Sequence, residues 1–179
     1  MKIASVVVTL GFLALGGPFA TGDASDISLQ ANLDGFGQVP PVITTGMGSF
    51  KARINTNGTI TYTLTYSQLA GTGEVNFADI HFGQKQNTGG IIFFLCANQV
   101  TEGGITVPPG TPQCHNGAGT STVTRTIGAE SVVGPVAQGI NANDLAAALK
   151  AIRSGLTYAQ VHTVQFTGGE IRGQINQED

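Results

Sequence analysis

The sequence predicts an all-β fold: an antiparallel β-sandwich or barrel with one short helix near residues 143–154. Three observations predict it. Apolar and polar residues alternate with a period of two along several stretches of seven or eight residues. Gly- and Pro-rich segments separate those stretches, and the chain carries 26 Gly in 179 residues. Charged residues make up 11%, against roughly 25% in ordinary soluble domains, which leaves too few Glu and Lys for a coiled coil or helical bundle. The net charge of −3 comes with no basic run, so nucleic acid is excluded as the main partner.

Residues 1–24 read as a secretory signal peptide. Lys2 is the only charge before Asp23, Ile3 to Leu15 is almost wholly apolar, and Gly22-Asp23-Ala24 suits cleavage after Ala24, with Ala20 the alternative. The apolar stretch is shorter than the about 20 residues that span a membrane. The mature chain, 25–179, is therefore expected to be one soluble domain, secreted or periplasmic, with no later membrane span.

Ile27, Leu29, Ala31 and Leu33 alternate with Ser28, Gln30 and Asn32, which makes a half-buried strand. Pro40-Pro41 forces an extended or turning connection. Two further alternating runs follow, Gly48 to Ile54 and Ile60 to Tyr66. A two-residue Asn57-Gly58 turn between them would set Ile54 opposite Thr61, an inward residue against an outward one. A three-residue loop, Thr56-Asn57-Gly58, pairs Ile54 with Ile60, Ala52 with Tyr62 and Phe50 with Leu64, which keeps one face apolar. Asn57-Gly58-Thr59 also reads as a glycosylation sequon in a host that uses it.

Val75 to Phe82 and Gly90 to Cys96 are two more strands, joined by the polar loop Gly83 to Gly89. Ile91 to Leu95 is apolar throughout, which predicts cover on both faces. Thr120 to Ile127 is Thr-rich and strand-like. The helix has Asn143 as its expected cap, Leu145, Ala148, Leu149 and Ile152 on one side, and Gly155 at its end. Tyr158 to Phe166, a Gly168-Gly169 turn and Glu170 to Ile175 close the chain. Export favours a disulfide between Cys96 and Cys114, the only two cysteines, over two buried thiols.

Three stretches carry a family resemblance. Gln38-Val39-Pro40-Pro41-Val42 with Gly46-Met47-Gly48 is the first, and Phe77-Ala78-Asp79-Ile80-His81-Phe82-Gly83 the second. The third runs from Gly155 to Thr163 and on through Gly169-Glu170-Ile171-Arg172-Gly173-Gln174. Together they resemble the CHRD domain, the chordin-type module of secreted animal proteins and of many exported bacterial ones. The resemblance spans about Ser28 to Asn176 and implies an immunoglobulin-like barrel. In chordin the modules belong to an extracellular antagonist of growth factors; for bacterial members no activity is implied. Asp79 stands where the family usually carries a His, and Gln160 where it carries Asn. The strand Ile80 to Gly83 with Asn87 to Gly90 also loosely resembles the copper strand and loop of copper/zinc superoxide dismutases. Three His are too few for that dinuclear centre.

Two constellations could carry chemistry. Asp79 and His81, two apart on one strand, share a face, and His162 lies on another strand. One reading makes these buried residues that hold strands together by hydrogen bonds; the other makes them a mononuclear zinc or copper site. Glu170, Arg172 and Gln174 form the second, with Glu170 and Arg172 expected to ion-pair with each other or across the sheet. A three-residue last turn would pair His162 with Gln174 on the face of Glu170 and Arg172, and a two-residue turn would place it with Ile171. His115, in a Gly-rich loop, is expected to be exposed. No nucleophile elbow, phosphate loop or dinucleotide fingerprint is present. The expectation is an exported, non-enzymatic binding or structural module without a cofactor, its partner an extracytoplasmic protein or small ligand. The alternative is a metal-binding barrel using Asp79, His81 and His162.

Overall fold

The structure, a computed structural model, describes residues 26–178. The expected signal peptide lies outside the described residues. The strands are β1 (Ile27–Asp34), β2 (Met47–Ile54), β3 (Ile60–Ser67), β4 (Val75–Phe82) and β5 (Ile91–Ala97), then the short β6 (Thr101–Glu102) and β7 (Ile105–Thr106). They continue with β8 (Ser121–Ile127), the helix α1 (Leu145–Arg153), β9 (Thr157–Thr163), β10 (Ile171–Gln174) and β11 (Asn176–Gln177). One antiparallel sheet runs in the order β5-β4-β9-β10-β1-β2-β3-β8, with β11 beside β1 and β6–β7 a separate hairpin. Its two ends, β5 and β8, come back into contact, so a single sheet curls into a nearly closed barrel.

The period-two pattern decides which side chains fill that barrel. Leu29, Leu33, Phe50, Tyr62, Leu64, Ile80, Phe93, Val161 and Ile171 all lie in one buried core. The β2–β3 hairpin takes the register that its apolar face demands: Ile54 faces Ile60, Ala52 faces Tyr62 and Phe50 faces Leu64. Gly58 sits there at φ +84°, the left-handed conformation that closes the loop. Outside, threonines of β3 and β8 pair hydroxyl to hydroxyl, Thr61 with Thr126 at 2.9 Å and Thr63 with Thr124 at 3.2 Å.

The helix runs where its apolar spacing places it and buries Ala148, Leu149, Ala151 and Ile152 against the main core. Its cap is Asp144, whose carboxylate accepts from Ala147 N at 2.9 Å. Asn143, the expected cap, instead takes a positive φ of 64° one residue earlier. A turn before the helix thus displaced the cap by one position.

A second apolar cluster lies on the outer face of β4 and β5. Phe77, Ile91, Phe94 and Ala97 pack there with Ile105 and Val107 from and beside the β6–β7 hairpin, and with Val133. That cover explains why β5 is buried on both sides. Cys96 and Cys114 are joined in a disulfide that closes the loop bearing the hairpin, with Cα atoms 4.9 Å apart. No helix among the described residues is long and apolar enough to cross a membrane.

Candidate functional site

Ala78 and Ile80 of β4, with Ala159 and Val161 of β9, point into the barrel. Strand alternation therefore turns Phe77, Asp79 and His81, and likewise Tyr158, Gln160 and His162, to the outer face. The two strands are neighbours, in a register that sets Phe77 opposite His162, Asp79 opposite Gln160 and His81 opposite Tyr158. His162 thus lies diagonal to Asp79 and close enough to reach it. The structure brings together the three residues that the sequence singled out.

The site can be built atom by atom. His81 Nδ1 is 2.8 Å from the Gly89 carbonyl, and His162 Nδ1 is 2.9 Å from the Thr167 carbonyl. A carbonyl only accepts, so each Nδ1 carries a hydrogen and donates it. Each Nε2 is left facing Asp79 Oδ1, at 2.9 Å from His81 and 3.3 Å from His162. Asp79 is fully buried, and both imidazoles are nearly so. Neither ring makes a well-directed hydrogen bond to the carboxylate: Asp79 Oδ1 and Oδ2 and both Nε2 atoms have no hydrogen-bond partner.

Electrostatics bind the three groups. Burial opposes ionisation of Asp79, but the two imidazoles outweigh it and hold the carboxyl well below the usual carboxylate range. Burial likewise opposes protonation of His162, yet the Asp79 charge, the Thr167 carbonyl and Glu102 hold its pKa up at about 9. Glu102, on the β6–β7 hairpin, is raised by its own burial and lies within electrostatic reach of Asp79, His81 and His162.

The remaining motif residues act on loop backbone. The Tyr158 ring stacks on His81, centroids 4.8 Å apart and planes 7° apart, and the Arg172 guanidinium sits 3.4 Å from the same ring's centroid. Arg172 donates to the carbonyls of Gln84 and Asn87 at 2.9 and 2.8 Å, and Gln174 donates to those of Gly83 and Gly155. Tyr158 Oη accepts from Gly89 N. His81, Tyr158, Arg172 and Gln174 thus hold the one loop between β4 and β5. His162 and Gln160 hold the loop between β9 and β10, Gln160 donating to Gly168 O at 2.8 Å and to Gln38 Oε1 at 3.0 Å.

The expected ion pair between Glu170 and Arg172 does not form, and neither pairs with another charged side chain among the described residues. Glu170 is fully buried and accepts from Thr44 Oγ1, Ala70 N and Thr163 Oγ1. Three neutral donors satisfy it, so it has no need of a cation. His162 does share the face of Arg172 and Gln174, but through neither turn that the sequence suggested. Arg172 faces Gln160 and Gln174 faces Tyr158, because residues 164–170 make a longer connection. His115 is exposed, as expected. Tyr158, Gln38 and Glu102 had not been singled out; for Tyr158 the signal was its place two and four residues before Gln160 and His162.

Comparison with known families matches the CHRD domain over residues 29–175. The chain belongs to the CHRD family. No curated protein and no solved structure matches it. The three stretches that carried the resemblance are the ones that meet at this site. The opening stretch supplies Gln38, the second Asp79 and His81, and the third Tyr158, Gln160, His162, Arg172 and Gln174. In this CHRD domain Asp79, His81 and His162 place a carboxylate and two imidazoles so that three ligand atoms lie within 4.8 Å of one another. Such a set can share protons as a buried ion pair or hold a metal ion.

Proposed function

We propose that this CHRD chain is an exported, non-enzymatic module whose barrel holds its end loops in fixed shape for an extracytoplasmic protein or small ligand. The supporting observation is the use made of the motif side chains. Arg172, Gln174, Tyr158, His81, Gln160 and His162 spend their polar groups on the backbone of two loops. Side chains committed in this way preorganise a surface, and a preorganised loop loses less entropy on binding.

Native-state hydrogen exchange on the mature chain tests this. The amide of Gly89, and those of Asn87 and Gly169 in the same loops, should be protected in the wild type. In Arg172→Ala those of the β4–β5 loop should exchange at least about tenfold faster while β2 and β3 are unchanged. Loops that exchange freely in the wild type would defeat the reading. The export half is checked by N-terminal sequencing of the protein recovered outside the cytoplasm, which should begin at Ser25.

A further inference from the structure

We propose that Asp79, His81 and His162 form a mononuclear site for a divalent transition metal of the zinc or copper class. Of the eight buried side-chain nitrogen and oxygen atoms that lack a hydrogen-bond partner among the described residues, four belong to these three side chains and face one another. What compensates them among the described residues is the charge contact between Asp79 Oδ1 and the two Nε2 atoms, at 2.9 and 3.3 Å, and a cation placed between them would serve all three side chains at once.

The arrangement around them suits a cation. Each imidazole is fixed with Nδ1–H on a backbone carbonyl, Gly89 for His81 and Thr167 for His162, so each presents Nε2 inward. Metal-binding histidines are held by a hydrogen bond of that kind, which sets the tautomer and the ring direction. Ligand arms of 2.0–2.1 Å at tetrahedral angles put neighbouring donor atoms about 3.3–3.4 Å apart. The separations from Asp79 Oδ1, 3.3 Å to His162 and 2.9 Å to His81, are near that value, and the set as a whole lies within 4.8 Å, so binding would draw the ligand atoms closer together. Two imidazole nitrogens and one carboxylate oxygen are a borderline donor set, which selects zinc or copper over calcium or magnesium. Glu102, on the neighbouring hairpin, adds a second carboxyl within electrostatic reach of the three ligands. The hairpin that carries Glu102 also supplies part of the apolar cover beside the site.

The test uses the untagged mature chain, stripped with a chelator and dialysed against micromolar Zn²⁺ or, separately, Cu²⁺. One equivalent of metal should remain bound, and uptake should fall at least about tenfold in His81→Ala and in His162→Ala. Asp79→Ala removes a buried charge and can unfold the chain, so a wild-type measurement decides. Imidazole ¹⁵N spectra during a Zn²⁺ titration should show Nε2 of His81 and His162 moving together while each Nδ1 keeps its hydrogen. Binding that moves only the exposed His115, uptake that survives in both histidine variants, or no uptake would overturn the proposal.

Discussion

Arg172 shows how much one side chain does in this barrel. Its planar head stacks on Tyr158 while one of its nitrogens, Nη2, donates to two carbonyls of the β4–β5 loop, a combination that Lys could not reproduce. The sequence suggested an ion pair because Arg172 and Glu170 share a strand face. It could not show that backbone carbonyls from Gln84 and Asn87 would come to Arg172 first. Asp79, His81 and His162 were legible because spacing of two on a strand fixes a common face. Which neighbours would touch them was not, since Gly89 and Thr167 contribute only backbone atoms. The same loop makes a sharp demand on Gly89, where an added Cβ would lie 1.7 Å from the Phe82 carbonyl oxygen. Gly89→Ala should therefore cost more than about 2 kcal/mol, since backbone must move to admit the methyl. Gly119→Ala, in open space at an ordinary φ, should stay within about 0.5 kcal/mol of the wild type. Urea unfolding of both variants checks the contrast, and equal midpoints would contradict the crowding seen at Gly89.

At the scale of elements, strands were easier to read than the connections between them. The β2–β3 hairpin was legible to the residue because only one register keeps its buried face apolar. The β9–β10 connection was not, because its Gly-rich turn admits several lengths and both strands are polar on the outer face. The β6–β7 hairpin escaped notice for a related reason: two residues per strand carry no period. It nevertheless covers Phe77 and Phe94, and the Cys96–Cys114 bond closes the loop that holds it. Reduction should release that loop, lowering stability by about 3 kcal/mol in the chain-entropy account. Intact mass should rise by two hydrogens on reduction, and the unreduced, denatured protein should offer no thiol to alkylation. Reduction should also speed amide exchange at Val107, whose backbone N–H bonds to the Val100 carbonyl inside the loop. Two reactive thiols before reduction would refute the bond.

Across the whole molecule, the barrel is drawn closed by tyrosines as well as by the sheet. Tyr62 of β3 donates its hydroxyl to the Leu95 carbonyl of β5, and Tyr66 donates to the His115 carbonyl at 2.7 Å. Tyr62 thereby bridges the two ends of the strand order, where the β5–β8 gap has no ladder of its own, while Tyr66 anchors the loop that leads into β8. Burial raises the pKa of each, Tyr66 up to about 12 and Tyr62 above the ordinary range, with Arg125 only partly opposing the shift at Tyr62. Tyr158, the third tyrosine, is raised by burial too. A phenol whose pKa is higher folded than unfolded binds its proton more tightly in the native state. The stability it lends is complete below its unfolded value, about 10, and drains away as pH climbs through the folded one. The thermal midpoint should therefore fall steeply between pH 10 and 12, beyond the earlier decline between about pH 6.5 and 9 that the raised His162 pKa imposes. Replacing Tyr62 and Tyr66 by Phe should lower stability at pH 8 by about 1 kcal/mol per lost hydrogen bond. The same double variant should lose less between pH 10 and 12, because two of the three titrating phenols are gone. An alkaline slope unchanged by the replacements would place the lost protons elsewhere and remove the tyrosines from barrel closure.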